Sequence, residues 1–390
     1  MSGPAVMVTG VSPANKGATL MLRAVQGELA RRMPGARVAS PLRLPGGPLP
    51  NAAERVALNL WTALPEPWNR GGAKGQARAA ALSALATGRG VMPVIRARDV
   101  DAVLDASGFA YGDFWGARKF ADRLGGQAAR WKEMGRKVIA LPQAWGPFEE
   151  EGFAEAVRKG LAPVDLVFAR DPQSLGFLEA AGVEAELAPD FTNLLSPGLP
   201  GELERLRGGM LLVPNGKMIE AGGAEGAYLD FLARAARTLE GMGETRVLIH
   251  EGEGDRDLAR KLNAAREAAG EEPLEVVDPG DPLAVKAAIG ASGALISSRF
   301  HGLVSALSAG VPALACGWSH KYRALLDDYG AGERIVDLKT PEGWDAALSG
   351  FADWAGGAET RPALREAASR EKGRAAAAWD RIEAVLEGAP

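Results

Sequence analysis

Short apolar runs, breaker-rich corners and amphipathic Ala/Leu/Arg stretches follow one another in rotation along most of the chain. A short apolar run bounded by Gly, Pro or Asp reads as a buried strand, and a longer amphipathic stretch reads as a helix. Their alternation predicts βαβ units and a parallel sheet. In the first half the predicted strands are Ala5–Val11, Arg37–Ser40, Ala102–Asp105, Lys137–Pro142 and Asp165–Ala169, with helices over Gly17–Met33, Arg118–Met134 and Phe153–Gly160. The second half restarts the series with strands at Met210–Pro214, Arg246–His250, Leu274–Val277, Ala294–Ser297, Ala313–Cys316 and Ile335–Asp337. Helices are predicted over Tyr228–Met242, Leu258–Ala269 and Leu303–Ala309. Gly71–Gly75 and Gly88–Pro93 read as loops.

Breakers cluster in Ser196-Pro-Gly-Leu-Pro-Gly201, between the two series. A chain of 390 residues exceeds what one hydrophobic core usually serves. The expected organisation is an N-terminal Rossmann-like domain over 1–197, a C-terminal one over 198–358, and a helix within 359–390 packing back on the first domain. The fold class that follows is α/β, with two Rossmann-like parallel sheets facing a central cleft. Ligands of such sheets bind outside the carboxyl ends of the strands, so the residues just after each strand are the ones to inspect.

Composition removes several alternatives. Acidic and basic residues number 49 and 45 and are interleaved, giving a net charge of -4 and no basic face for nucleic acid. The single cysteine, Cys316, excludes an intrachain disulfide and a thiolate zinc site, and its apolar surroundings read as core. No histidine–carboxylate group has metal-ligand spacing, and no cofactor is expected. The N-terminal residues lack the basic flank and apolar stretch of a secretory signal, and no run approaches the ~20 apolar residues of a membrane span. A cytoplasmic protein is expected.

The most informative corner follows Ala294–Ser297. Ser298, Arg299, Phe300, His301 and Gly302 lead into a helix that stops at Gly310-Val-Pro312. Arg299 and His301 therefore stand at a helix N-terminus, where free N–H groups and the dipole favour an anion. A guanidinium suited to carboxylate or phosphate strengthens that reading. The competing assignment makes His301 a cap and pairs Arg299 with a surface acid. His320 and Lys321 follow the next strand and either extend the anion site or begin an ordinary helix.

Other strand ends carry further candidates. Asn15 and Lys16 open a helix after the first strand, in a loop whose glycine spacing fits neither a Walker A motif nor the dinucleotide fingerprint. They suit a sugar hydroxyl or a phosphate, with simple capping by Asn15 as the alternative. Asp105, Ser107, Gly108, Tyr111 and Asp113 follow one strand, and Gln143 and Trp145 another; together they suit a polyhydroxyl ligand. Arg170 is a second candidate cation, while Asp171 before Pro172 reads as an N-cap. Asp190 has no obvious helix to cap and is a candidate base.

The ordered set Asn15-x-Gly17-Ala18, Ser107-Gly108, Pro142-Gln143-x-x-Gly146-Pro147, Ala169-Arg170-Asp171-x-x-Ser174, Ala188-Pro189-Asp190 and Ser298-Arg299-x-His301-Gly302, followed by Ala309-Gly310-Val311-Pro312 and Lys321, resembles the polysaccharide pyruvyl transferase family. The resemblance implies a two-domain GT-B protein that moves pyruvate from phosphoenolpyruvate to a sugar of a cell-envelope or exopolysaccharide glycan as a ketal, releasing phosphate. It implies that Arg299 and His301 contact phosphoenolpyruvate, with Arg170 a further cation. The first loop departs from the commoner Gly-Asn-x-Gly-Asp, having Asn15-Lys16-Gly17-Ala18-Thr19. On this reading His301 donates the proton that ketal formation requires, and Asp105 or Asp190 accepts protons from the acceptor hydroxyls. The partners expected are phosphoenolpyruvate and a carbohydrate acceptor, free, lipid-linked or nucleotide-linked.

Two rivals remain. A nucleotide-sugar glycosyltransferase on the GT-B fold would often place glutamates in the second domain, yet Gly293–Gly332 contains none. A non-catalytic carbohydrate-binding protein would have little need for Arg299 and His301 at a helix terminus.

Overall fold

Every strand pairing found is parallel, as the continuous apolar runs require, since strands covered by helices on both faces have no polar side to show. The computed structural model describes residues 3–11, 15–41, 60–64, 94–220, 224–317 and 320–388. The described residues fall into two units. One takes those within Met1–Pro13, Met21–Ala188 and Ala377–Pro390, and the other those within Ala14–Leu20 and Pro189–Ala376.

In the first unit the strands are β1 (Ala5–Thr9), β2 (Arg37–Pro41), β3 (Trp61–Leu64), β4 (Val94–Arg96), β5 (Ala102–Asp105), β6 (Phe109–Tyr111), β7 (Lys137–Trp145), β8 (Leu166–Ala169) and β9 (Glu186–Leu187). Their order is β4-β3-β2-β1-β5-β7-β8-β9, with β6 beside β7. Helix α1 (Lys16–Arg32) follows β1, its first turn counted with the second unit; α2 (Phe153–Leu161) and α3 (Pro172–Ala180) flank β8. As the sequence predicts, Asp171 caps α3, accepting from Ser174 N at 2.7 Å, with Pro172 in the first turn.

Three sequence expectations change here. Strands β3, β4, β6 and β9 were not foreseen. Strand β7 continues to Trp145, so Gln143 and Trp145 lie in the strand rather than in a loop after it. Pro142 has no N–H for the ladder, and the β7–β8 register shifts between Ala140 and Gln143. The predicted helix over Arg118–Met134 is broken into short pieces, with Arg123 outside helical geometry at φ -116°, ψ -119°. The loops expected at Gly71–Gly75 and Gly88–Pro93 lie outside the described residues.

The second unit contains β10 (Met210–Val213), β11 (Thr245–Leu248), β12 (Glu275–Val277), β13 (Ala294–Ser297), β14 (Ala313–Cys316) and β15 (Ile335–Val336), in the order β12-β11-β10-β13-β14-β15. Helices α4 (Glu225–Met242), α5 (Glu253–Ala268), α6 (Pro282–Ala291), α7 (Phe300–Leu307), α8 (His320–Asp328), α9 (Trp344–Gly356) and α10 (Thr360–Glu387) complete it, the end of α10 belonging to the first unit. Side chains alternate across the sheet with the period of two that a strand imposes. Leu211, Val213, Leu295, Ala313 and Ala315 join one buried cluster, and Leu212, Val247, Ile296, Leu314 and Cys316 the other. Burial pushes the Cys316 thiol up to about 12, so it is the inert core residue the sequence predicts.

Phe231, at the centre of α4, is fully buried and meets the Trp344 ring edge-on at 5.5 Å. Phe231→Ala should cost about 3–5 kcal/mol, read as a lower urea midpoint with little change in slope.

Candidate functional site

The strand order of the second unit reverses between β10 and β13, and the crevice beyond their carboxyl ends is where a doubly wound sheet binds its ligand. Ser298 closes that corner. Tyr228 Oη receives the Asn215 N–H at 3.0 Å and donates to Ser298 Oγ at 2.8 Å. The Ser298 carbonyl accepts from Asn215 Nδ2 at 2.8 Å and from Tyr322 Oη at 3.0 Å. Burial pushes the Tyr228 hydroxyl up, so it stays protonated and able to donate. Ser298, expected to touch a ligand, is 1% exposed and binds the corner together instead.

Arg299 is the N-cap residue of α7, but its side chain makes no capping bond. Its Nε donates to Asp255 Oδ2 at 3.1 Å, and its two terminal nitrogens pair with Asp255 and Glu251. Burial opposes the charge, but Asp255 and Glu251 outweigh it and hold the guanidinium firmly protonated. The sequence alternative of an acid partner is therefore present, though the partner Asp255 is buried rather than on the surface. Asp255 also accepts from Gly216 N at 3.0 Å and Glu251 N at 2.9 Å, tying the ends of β10 and β11 to the same point. Three of the five guanidinium donors are used in these bonds.

His301 lies in the first turn of α7. Its Nε2 is 3.6 Å from Asp190 Oδ2, an ion pair whenever the ring is protonated. Asp190 is buried and oriented by Thr192, whose N–H and Oγ1 donate to Oδ1 at 2.9 and 2.6 Å. It caps a single 3-10 turn, Phe191–Leu194, which the sequence reading did not anticipate. The opposite side of the ring faces the start of α1. A Cβ at Gly17 would sit 2.4 Å from His301 Nδ1, so only glycine lets the backbone come this close. Asn15 caps that helix, accepting from Ala18 N at 2.7 Å, which is the simple role allowed for it. Lys16 Nζ is 3.4 Å from Asp278 Oδ1.

Gly302 is equally constrained. A Cβ there would lie 2.9 Å from Ser297 Oγ and 3.7 Å from His250 Cδ2. Lys321 Nζ stands 5.3 Å from the centre of the Phe300 ring, and that ring packs edge-on against His301. Trp318, Ser319 and the side chain of His320 lie outside the described residues.

His250 was not singled out as a site residue, since nothing in its local pattern marks it. It follows β11, is 2% exposed, and neither ring nitrogen has a hydrogen-bond partner among the described residues. Burial, followed by the charges of Arg299, His301, Lys16 and Lys286, pushes it well below the ordinary value of 6.5.

In the first unit the order reverses between β1 and β5, and a second polar cluster sits there. Asp105 accepts from Thr9 Oγ1 at 2.9 Å, Ser107 Oγ at 3.0 Å, Tyr111 Oη at 3.2 Å and Gln143 Nε2 at 3.2 Å. Burial and the Asp105 charge push the Tyr111 hydroxyl well up, fixing it as a donor. Gly108 takes φ +72°, and Gly10, at φ +79°, leaves no room for a Cβ against Ser107. Gln143 is fully buried, with no partner for its Oε1 among the described residues. Trp145 is core, its indole N–H donating to the Phe168 carbonyl at 2.9 Å, so it offers no face to a sugar. Arg170 is buried after β8, its main-chain N–H donating to the Gln143 carbonyl at 2.9 Å. The structure thus assembles Arg299, His301, Asp190, Gly302, Asn15, Lys16 and Lys321 in one unit, and Asp105, Ser107, Gly108, Gln143 and Arg170 in the other.

Among the described residues no group of three His, Cys, Asp or Glu side chains is placed to hold a metal ion, and no helix is long and apolar enough to cross a membrane.

The state of His250 is testable. As pH falls below about 6.5 the unfolded chain takes up a proton that the folded site refuses, so stability drops. Below that pH, wild type should lose about 1.4 kcal/mol per pH unit more than His250→Asn, read from urea unfolding at several pH values. Equal slopes would mean that the folded protein protonates His250 freely.

The sequence matches the model of the family described as polysaccharide pyruvyl transferase over residues 15–320. No curated protein matches it by sequence. Among solved structures, it is similar to a Listeria monocytogenes protein assigned as a UDP-N-acetylglucosamine 2-epimerase, at 13% identity and a TM-score of 0.58, over 100% of this chain and 98% of that one. It is similar to S. aureus MnaA with UDP, at 12% identity and 0.55, over 99% and 97%. It is also similar to UDP-GlcNAc 2-epimerase from Neisseria meningitidis bound to UDP-GlcNAc, at 10% identity and 0.51, over 95% and 98%. At these identities the likeness concerns the fold, which is GT-B-like.

Proposed function

Given that the chain belongs to the polysaccharide pyruvyl transferase family, we propose that it transfers pyruvate from phosphoenolpyruvate to two hydroxyls of a glycan sugar, forming a ketal and releasing phosphate. The observation that carries this reading is His301, placed in the first turn of α7 between buried Asp190 and the bare backbone of Gly17.

Ketal formation begins when the C2–C3 π electrons of the enol take a proton at C3, leaving C2 electrophilic. One acceptor hydroxyl bonds to C2 and releases its proton. The C2–O bond to phosphate breaks, the electrons leaving with phosphate, and the second hydroxyl bonds to C2. Two protons leave the hydroxyls, replacing the one added at C3 and supplying one to the departing phosphate.

In our assignment His301 donates the proton to C3, since imidazolium acts as an acid near neutral pH. Asp190 orients the ring and favours its protonated form. The anionic donor is held by the first-turn N–H groups of α7 and by the two N–H groups of Arg299 not used by Asp255 and Glu251. Gly302 lets α7 lie close against Ser297, and Lys16 and Lys321 add positive charge for the donor. Asp105, saturated by four donor side chains, suits holding Ser107, Gly108 and Gln143 in place for an acceptor better than it suits proton transfer.

His301→Ala should lower phosphate release from phosphoenolpyruvate, measured with candidate glycans, by about 100-fold or more. Turnover near the wild-type level would remove the role given to His301. In a thermal-shift comparison phosphoenolpyruvate should stabilise the protein. Stabilisation by nucleoside diphosphates alone would favour a nucleotide-sugar glycosyltransferase instead.

A further inference from the structure

Within the second unit, a cavity of about 230 Å3 opens between α6, α7, the early part of α10 and the segment around Leu195–Leu199. Its lining carries Lys286, Lys372, Arg207 and the hydroxyls of Ser305 and Ser308, and no carboxylate. Arg207 is already neutralised, bound through two nitrogens to Glu204 at 2.8 Å each. The two lysines are not. Among the described residues neither ammonium has a carboxylate within ion-pair distance.

Lys286 is the unusual member. It projects from α6 into the interior and is 3% exposed, and its one hydrogen bond is a long contact of 3.3 Å with Ser308 Oγ. An ammonium has three N–H donors, so two are left over in a place that water reaches poorly. Burial pulls it down to about 8, while Asp190 supports the charge and Lys372 opposes it. A buried cation without an ion-pair partner is costly, and a second cation turned into the same cavity adds to the cost.

We propose that this cavity binds a small tetrahedral oxyanion of the phosphate class, as a site separate from the N-terminus of α7. Two ammonium groups and two hydroxyls ask for a ligand with several acceptor oxygens, which a tetrahedral oxyanion supplies. The volume corresponds to roughly eight times the space of one liquid water, enough for the anion with a short organic tail. The site also borders the one described above: Ser305 Oγ donates to the His301 carbonyl at 2.6 Å.

Tungstate, a heavy tetrahedral oxyanion, locates the site directly by its anomalous signal in soaked crystals. A peak is expected between Lys286 and Lys372. It should vanish in Lys286→Met, which replaces a buried cation by an apolar chain of similar length, and in Lys372→Glu, a partly exposed change that leaves the core intact. In solution, titration calorimetry with inorganic phosphate should show a component at least tenfold weaker in Lys372→Glu. Tighter binding of glycerol phosphate than of inorganic phosphate would identify a phosphomonoester as the occupant, and the reverse order the free ion. A wild-type cavity without a peak, a peak that survives both substitutions, or phosphate affinity unchanged in Lys372→Glu would overturn the proposal.

Discussion

A guanidinium set at the inner end of a buried strand must bring its own counter-charge, and Arg299 brings two. Asp255 is fully enclosed and would itself be untenable without Arg299 and the N–H groups of Gly216 and Glu251. The result is a knot that ties the ends of β10, β11 and β13 to the first turn of α5. Around it, Tyr228, Asn215 and Tyr322 close on Ser298 through bonds between uncharged groups. The direction of α7, and with it the position of His301, follows from that knot. Removing either Arg299 or Asp255 would strand a buried charge, so a variant at either position tests the fold before it tests chemistry.

Arg299 stands at the N-cap of α7 and a guanidinium has no acceptor to offer, so the helix terminus is not capped by a side chain. Its first N–H groups are left for something outside the helix. His301 stands beside them with one ring nitrogen toward Asp190 and the other against Gly17. Such an arrangement fixes the ring from both sides, which a surface histidine capping its own helix would not require. Family membership and geometry meet at this residue: packing explains three of the four named positions in Ser298-Arg299-x-His301-Gly302, leaving His301 as the side chain with least structural reason to be there.

The sheets were readable because buried parallel strands are continuous apolar runs. Ala102–Asp105, Ala294–Ser297 and Ala313–Cys316 were placed to the residue. Most of what escaped was short, as with the three-residue β4 and β6 and the two-residue β9, or was hidden by a proline, as in β7 beyond Pro142; the four-residue β3 escaped without either reason. Arg299 and His301 were legible because a strand end and a helix start bracket them locally. Their partners were not. Asp255 stands 44 residues before Arg299 and Asp190 lies 111 residues before His301, and neither pairing leaves a local trace. His250 was silent for the same reason: its isolation is a property of what surrounds it, not of its neighbours in sequence. Trp145 misled in the other direction, since an indole near a glycine corner suggests a sugar platform, while its burial makes it core.

The charges near the corner divide by how far they are compensated. Arg299 has its carboxylates and Lys16 has Asp278, so both are balanced before any ligand arrives. His250 avoids the problem by staying neutral, which its burial and then the same cations enforce. A dianion arriving at the start of α7 would reverse that pressure, since each negative charge near His250 offsets a positive one and makes its protonation easier. Asp190 stands between the two remaining influences, paired with His301 on one side and favouring the charge of Lys286 on the other. One buried carboxylate thus favours the charge of two cations, at the helix terminus through a close contact and at the cavity through its longer-range field.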